Sequence, residues 1–104
     1  MTAKTTPNKL LTILTSEAME EMITNALLAA GGGGLTLSEA RGRGAHGERP
    51  GKWAEGNVRI EMLGSEATVA RALAAIDHLR ADVDNVLVAW VSDVQAWPAE
   101  KFAR

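Results

Sequence analysis

The chain of 104 residues contains no cysteine and no tyrosine, one phenylalanine and three prolines. Without cysteine there is no disulfide framework, no thiolate nucleophile and no cysteine-ligated zinc site, which is usual in a reducing cytoplasm. No apolar run approaches the roughly 20 residues that cross a bilayer, and the polar residues 1–7 lack the apolar segment of a secretory signal. We therefore expect a soluble, cytoplasmic protein that does not insert into membranes.

The chain also lacks an excess of positive charge. It has 11 Lys and Arg against 13 Asp and Glu, for a formal net charge of −2, which argues against a nucleic-acid partner. A chain of 104 residues with 46% hydrophobic residues is typical of one globular domain. We assign this domain to residues 9–97, with a flexible N-terminus at 1–8 and a C-terminal tail at 98–104.

Apolar patterns of strand and helix type follow one another along the chain. Apolar or alternating runs predict strands at 9–15, 35–40, 57–63 and 85–97. Ser16 and Ser65 are candidate N-caps of two helices, whose apolar stripes are Met19, Met22, Ile23, Ala26, Leu27 and Ala30, and Val69, Ala72, Leu73, Ile76 and Leu79. This order predicts an α+β ferredoxin-like βαββαβ fold, an antiparallel sheet with two helices on one face.

The predicted third strand has two distinct faces. Val58, Ile60 and Met62 alternate on the face beneath the helices, so Arg59 and Glu61 point away from it. As an exposed ion pair these two residues require no function. On the face away from the helices we also expect apolar residues that water cannot cover, namely Leu11, Ile13, Leu35, Leu37, Leu63 and Val91. Self-association into a closed homo-oligomer, with ligand sites between subunits, would cover them.

A long loop, residues 41–56, separates the second and third predicted strands. It combines glycines with five cationic or protonatable residues, Arg41, Arg43, His46, Arg49 and Lys52. Backbone N–H groups and guanidinium groups of such a loop can converge on phosphate or a carboxylate-like ion. The alternative is a solvated loop that binds nothing. The glycines at 31–34 are weaker candidates, because they end a helix and no helix N-terminus follows them.

Candidate groups for catalysis or metal binding do not cluster. Glu39, Glu48, Glu55, Glu61, His46 and His78 form no triad and no pair at ligand spacing on a rigid element. His78 is interpreted as a surface histidine. We therefore assign no catalytic residue and no metal ligand.

The Arg41-Gly42-Arg43-Gly44 start of the loop and the Asn57-Val58-Arg59-Ile60-Glu61 strand after it, on this scaffold, resemble the PII signalling family over residues 9 to 95. Within that family the chain is most similar to PII-like proteins encoded with carbon-concentrating genes, such as the carboxysome-associated and bicarbonate-transporter-regulating types. The resemblance implies a PII-like homotrimer without enzymatic activity. It would bind an adenine nucleotide in clefts between subunits and signal through the long loop, the T-loop.

Residue by residue, the resemblance implies a binding site made of several segments. Thr36 and Ser38 would lie at the cleft wall, Gly42, Arg43 and Gly44 at the phosphates, Asn57 at the site, Glu61 and Leu63 at the adenine, and Asn85 and Val86 on the neighbouring subunit. Bicarbonate would bind at the base of the loop, held by an arginine such as Arg41 or Arg43.

Two phosphate-binding elements of the family are missing. Asp82-Val83-Asp84-Asn85 replaces a Gly-Asp-Gly-Lys turn, and Ala96-Trp97-Pro98 replaces an Arg-x-Arg pair. We therefore expect ADP or AMP to bind better than ATP, with Arg80, Lys101 and Arg104 as candidate substitutes. Because tyrosine is absent, uridylylation of the loop is excluded, which favours bicarbonate sensing over nitrogen signalling.

Trp53 in the loop is the candidate anchor for a protein target, which by the resemblance would be a bicarbonate transporter or a carboxysome-related protein. Alternatively, Trp53 packs on its own trimer. Two other classes of function stay open. One is a nucleotide-hydrolysing enzyme on this scaffold, and the other is a ligand-free trimeric module that binds a protein partner, RNA or metal.

Overall fold

The computed structural model describes residues 3–41, 56–80 and 87–102. Strand β1 (Thr6–Ser16) leads through a 3₁₀ turn (Glu17–Met19) into helix α1 (Glu20–Ala29), followed by β2 (Thr36–Ala40), β3 (Asn57–Gly64), α2 (Glu66–Leu79), β4 (Val88–Ala96) and the short helix α3 (Ala99–Phe102). The predicted order and the ferredoxin-like fold are confirmed, with α3 as an addition.

The four strands form one antiparallel sheet in the order β2-β3-β1-β4. Directly opposed residues of an antiparallel pair lie on the same face of the sheet. Leu11 faces Met62 and Ile13 faces Ile60. These residues are buried together with the apolar stripes of both helices, in a core that includes Ile23, Leu27, Val69, Ala72 and Ile76. We call this side of the sheet the helix face and the opposite side the outer face.

The predicted apolar residues of the outer face are mostly on the wrong side. Leu11 and Ile13 have no exposed area, Leu35 packs against the core, and the register places Leu37 opposite Ile60 and Val91 opposite Leu11, on the helix face. Of the predicted set, only Leu63 is on the outer face. For Leu11 and Ile13 the cause is the continuous apolar run of β1, which does not reveal which alternate residues face the helices. For Leu35, Leu37 and Val91, alternation separates the two faces of a strand but does not identify the face that the helices cover.

The outer face is nevertheless apolar along part of the sheet. Its apolar residues on β1, β3 and β4 are Leu10, Leu14, Leu63, Val88, Trp90 and Val94. Val88 is 53% exposed and Trp90 45% exposed. A surface of this kind still suits subunit contact, although different residues form it.

Helix α1 begins later than predicted. The backbone of Ser16 has the extended conformation of an N-cap, but its side chain makes no capping hydrogen bond, and the 3₁₀ turn precedes α1. Met22, predicted to be in the core, is 39% exposed. The end of the helix agrees with the prediction, because Gly31 has a φ of 104°. Its N–H donates to Leu28 O at 3.1 Å and that of Gly32 to Leu27 O at 3.0 Å, a Schellman motif.

Helix α2 agrees with its sequence pattern at the start and along its buried face. Ser65 Oγ accepts a hydrogen bond from Thr68 N at 3.1 Å, as an N-cap does. Arg71 on α2 donates from Nε to Ala30 O at 3.2 Å. This contact ties α2 to the C-terminal end of α1, where a positively charged side chain is favourable.

The ends of the domain contain more secondary structure than predicted. β1 begins at Thr6 rather than at Lys9, because Thr6 and Pro7 pair with Ala96 and Gln95 of the long β4. Residues 6–8 of the predicted N-terminal segment thus belong to β1. β4 spans Val88–Ala96, and part of the predicted tail forms α3, whose Ala99 N–H donates to Lys4 O at 3.2 Å. Within the described ranges, no helix is long and apolar enough to span a membrane.

Candidate functional site

The outer face presents its side chains in rows that cross the sheet. One row runs Thr36, Glu61, Thr12 and Trp90, and the row nearer the loop runs Ser38, Arg59, Leu14 and Val88. Residues opposite one another in a row have Cβ atoms about 4.5–5.5 Å apart. Neighbouring rows are two residues apart, or about 6.5 Å. The β2–β3 part of this surface is polar, and the β1–β4 part is mainly apolar.

Four of the predicted site residues lie together on the polar part, and a fifth, Leu63, lies beside it. Thr36 is opposite Glu61, and Asn57 is opposite Ala40, which precedes Arg41. Ser38 lies between Thr36 and Ala40 on the same face, and Leu63 lies one step beyond Glu61 on β3. The antiparallel pairing of β2 with β3, together with their alternation, thus brings onto one face residues that are about 20 to 25 positions apart in the sequence.

The base of the loop is fixed beside the start of the 3₁₀ turn. Gly56 has a φ of 83°, and its carbonyl accepts a hydrogen bond from Glu17 N at 3.2 Å. A Cβ at Gly56 would lie 2.9 Å from Glu17 Oε2. The left-handed backbone favours glycine where the loop enters β3, whereas the carboxylate of Glu17 ends an exposed side chain that can move away.

Several predicted site residues lie outside the described ranges. They are Gly42, Arg43 and Gly44 at the start of the loop, Asn85 and Val86 before β4, and Trp53, Arg49, Lys52 and His46 within the T-loop. Arg41 is described and exposed at the end of β2.

Arg59 is the most important residue that the predicted site omits. One of its guanidinium nitrogens, Nη2, lies 3.5 Å from Glu61 Oε2, with side-chain exposures of 47% and 29%. Thr12 and Trp90 also lie in the row of Glu61. Alternation along β3 already placed Arg59 beside Glu61, but only the register across β1 and β4 shows that Thr12 and Trp90 share that row.

The chemistry of the two rows differs. The row of Arg59 and Ser38 offers a guanidinium and a hydroxyl, which donate hydrogen bonds to an anion. The row of Glu61 and Thr36 offers a carboxylate, which accepts hydrogen bonds from N–H groups. The surface can thus hold a ligand with an anionic part towards the loop and a hydrogen-bond-donating part away from it.

A second concave surface lies at the opposite end of the sheet. This open groove of about 1110 Å³ is lined by residues from β1, β4, the start of α2 and Phe102. Lys9 Nζ donates a hydrogen bond to Asp93 there. That hydrogen bond and the negative charge of Asp93 raise the pKa of the Lys9 ammonium group above its usual value. A lysine held in its charged form suits an ion pair and is a poor nucleophile.

Groups suited to metal binding are not found together in the part of the chain that the structure describes. No three His, Asp or Glu side chains there are close enough to hold an ion. His78 is exposed at the end of α2, as predicted.

The fold recurs in solved PII-like structures. A PII-like signaling protein from Thermus thermophilus is 28% identical, with a TM-score of 0.70, covering 96% of this chain and 99% of that chain. CPII from Thiomonas intermedia, a nitrogen regulatory PII-like protein bound to ADP, AMP and bicarbonate, is 25% identical, with a TM-score of 0.75 and coverage of 91% and 92%. Its complex with ADP and bicarbonate gives 27% identity, a TM-score of 0.76 and coverage of 91% and 93%.

The sequence was also compared with curated proteins and with family models. No curated protein matches it. The family model described as nitrogen regulatory protein P-II matches residues 8–101, nearly the whole chain. The resemblance inferred from the sequence is therefore confirmed, and the chain belongs to the P-II family.

Proposed function

We propose that this chain is a non-enzymatic regulatory protein that binds ADP or AMP together with bicarbonate. The observation that carries the proposal is the convergence of Thr36, Ser38, Asn57 and Glu61 on one face of the sheet at the base of the loop. CPII, which shares the fold, binds ADP, AMP and bicarbonate. The row of Arg59 and Ser38, nearer the loop, suits phosphate or bicarbonate, and the row of Glu61 and Thr36 suits the amino group of adenine.

The proposed assembly is a homotrimer with the ligands in clefts between subunits. Val88 and Trp90 are large, exposed and apolar on the outer face, so contact with a second copy would remove them from water. The ligand-binding rows continue directly into this apolar surface. A ligand in the polar part would then lie at the margin of the subunit contact, where a neighbour can supply further contacts.

The proposed output is a change in the T-loop, residues 41–56, that a protein target recognises. A ligand shifts a loop only if it binds the two loop states with different affinities. Arg41, and with it the start of the loop, follows the last residue of β2 directly, and Asn57 begins β3. Ligand contacts at the base of the loop are thus well placed to favour one loop state. Trp53 remains the proposed anchor for the target, which we expect to be a bicarbonate transporter or a carboxysome-related protein.

Calorimetric titration tests the proposal. ADP, AMP and ATP are each titrated into the wild type with and without bicarbonate, and the mass in solution is measured at the same concentration. We expect a trimer that binds ADP or AMP more tightly than ATP, and more tightly still with bicarbonate. Glu61→Gln should weaken nucleotide binding because it removes an acceptor charge. Glu39→Gln is the matched control, since Glu39 lies opposite Val58 on the helix face.

Two results would contradict the proposal. A protein that binds no adenine nucleotide, at concentrations up to about 1 mM, would leave the polar rows without the proposed ligand. Mg²⁺-dependent release of phosphate from ADP or ATP would instead indicate a hydrolase.

A further inference from the structure

Arg59 and Glu61 form a loose ion pair within the proposed ligand site. Their closest atoms, Nη2 and Oε2, are 3.5 Å apart, whereas a charge-assisted hydrogen bond between such groups is about 2.7–2.9 Å. Both side chains retain access to solvent, with 47% and 29% of their areas exposed. A pair of this length and exposure is easily replaced by other contacts.

Each member of the pair has its own hydroxyl neighbour on β2. Ser38 lies opposite Arg59, and Thr36 lies opposite Glu61. Arg59 is one row nearer to the loop than Glu61. The guanidinium group can therefore turn from Glu61 towards an anion that Ser38 also binds, while the carboxylate stays in the row beside Thr36.

We propose that this ion pair is an exchange element that couples the two ligands of the proposed function, on which the inference rests. A small anion such as bicarbonate binds the Arg59 guanidinium and draws it from Glu61. The Glu61 carboxylate, no longer paired, then accepts a stronger hydrogen bond from the amino group of adenine. By linkage, a nucleotide that engages Glu61 releases Arg59 and strengthens anion binding by the same factor.

The geometry also limits the size of the coupling. Only one exposed ion pair is exchanged, so each ligand should raise the affinity for the other by about two- to fivefold. A much larger factor would require rearrangement of other parts of the site.

The test measures the ratio of ADP affinities with and without saturating bicarbonate in the wild type, Arg59→Gln and Glu61→Gln. The wild type should give a ratio of about two to five. Both variants should bind ADP with a ratio near one, because neither has an ion pair to exchange. Bicarbonate alone should bind Glu61→Gln more tightly than the wild type, since Arg59 is then already free of its partner.

Two controls address charge and folding. Glu39→Gln removes a negative charge and Arg71→Gln a positive charge, as the test variants do, but on the helix side of the sheet. Both controls should keep the wild-type ratio. A ratio taken within one variant cancels the direct effect of the lost charge on ADP binding. Far-UV circular dichroism and the melting temperature establish that each variant is folded.

Each remaining outcome separates this inference from the proposed function. If the wild type binds neither ligand, the proposed function itself fails. If the wild type binds both ligands with a ratio of one, or Arg59→Gln retains the full ratio, only the exchange mechanism is wrong. Complete loss of ADP binding in Arg59→Gln would make Arg59 a direct phosphate contact and would likewise overturn the exchange.

Discussion

Gly32 should be the least replaceable glycine of the turn between α1 and β2. Its N–H donates to Leu27 O at 3.0 Å. A Cβ built on Gly32 would lie 2.6 Å from Met62 Sδ and 2.9 Å from Leu27 O. A nonbonded carbon atom does not lie this close to sulfur or oxygen, so an added Cβ requires one of the neighbouring atoms to shift. The perturbation we consider is therefore Gly32→Ala, one added methyl group.

The two neighbours differ in how far they can shift. Met62 is flexible, but its side chain is only 1% exposed and packs in the core, so its sulfur must displace other buried atoms. Leu27 O belongs to the backbone of α1 and can move only with the last turn of the helix. Overpacking of this kind costs about 1–3 kcal/mol. For a domain of this size each kcal/mol lowers the melting temperature by about 4–8 °C.

Gly33→Ala is the matched control, because a Cβ at Gly33 has no atom within 4 Å and its φ is outside the left-handed range. Replacing such a glycine should be neutral or stabilising by up to about 1 kcal/mol, since it restricts the unfolded chain. Urea denaturation followed by circular dichroism measures both variants. Protein concentration must be equal throughout, because subunit association contributes to stability.

The reasoning is refuted if Gly32→Ala and Gly33→Ala have unfolding free energies within about 0.3 kcal/mol of each other, the usual margin of such comparisons. That result would mean that Met62 and the end of α1 accommodate a methyl group without cost. A loss in both variants would point instead to a need for flexibility throughout the turn.

Three further predictions concern stability. Ser65→Ala should lower the free energy of unfolding by about 1 kcal/mol in urea titration, because Thr68 N loses its N-cap acceptor, and Ser65→Asp should restore most of it. Ile60→Val should cost about 0.5–1.5 kcal/mol in the same titration, since Ile60 is fully buried and loses one methylene. Asp93→Asn should be less stable than the wild type near neutral pH. Because the pKa of Lys9 is raised in the folded state, the ion pair stabilises the wild type only while Lys9 is protonated. The difference in stability should therefore vanish as the pH rises past about 10.4, the pKa of a free lysine, and through the raised pKa. A difference that persists at higher pH would exclude the ion pair as its source.

Features set by local chemistry could be predicted from the sequence. The N-cap of α2 at Ser65, the left-handed glycine at the end of α1 and the buried face of β3 all depend on residues within a few positions of one another. The start of α1 could not be predicted to the residue. Serine is a residue type that is common at N-caps, but the 3₁₀ turn at Glu17–Met19 lies between Ser16 and the start of α1.

The faces of β1 could not be predicted because the strand is apolar along most of its length. In β3, polar Arg59 and Glu61 alternate with buried Ile60, so the pattern itself identifies the faces. In β1, Leu10 and Leu11 are both apolar, and only the pairing of Leu11 with Met62 shows which one is in the core. A one-residue error in this assignment moves every side chain to the other face.

That difference also explains how much of the candidate site could be predicted. Its polar part lies on β2 and β3. Alternation along β3 predicts that Glu61 points away from the helices, whereas Thr36 and Ser38 are predicted from the resemblance alone, because Leu35 and Leu37 are expected on that face. The apolar part beside it depends on the register of β1 and β4, which joins Trp90 to Glu61 through Thr12. Only with that register does the polar part border directly on exposed apolar surface. This juxtaposition favours a cleft at a subunit boundary over a pocket enclosed within one subunit, because covering the apolar part would also enclose a ligand in the polar part.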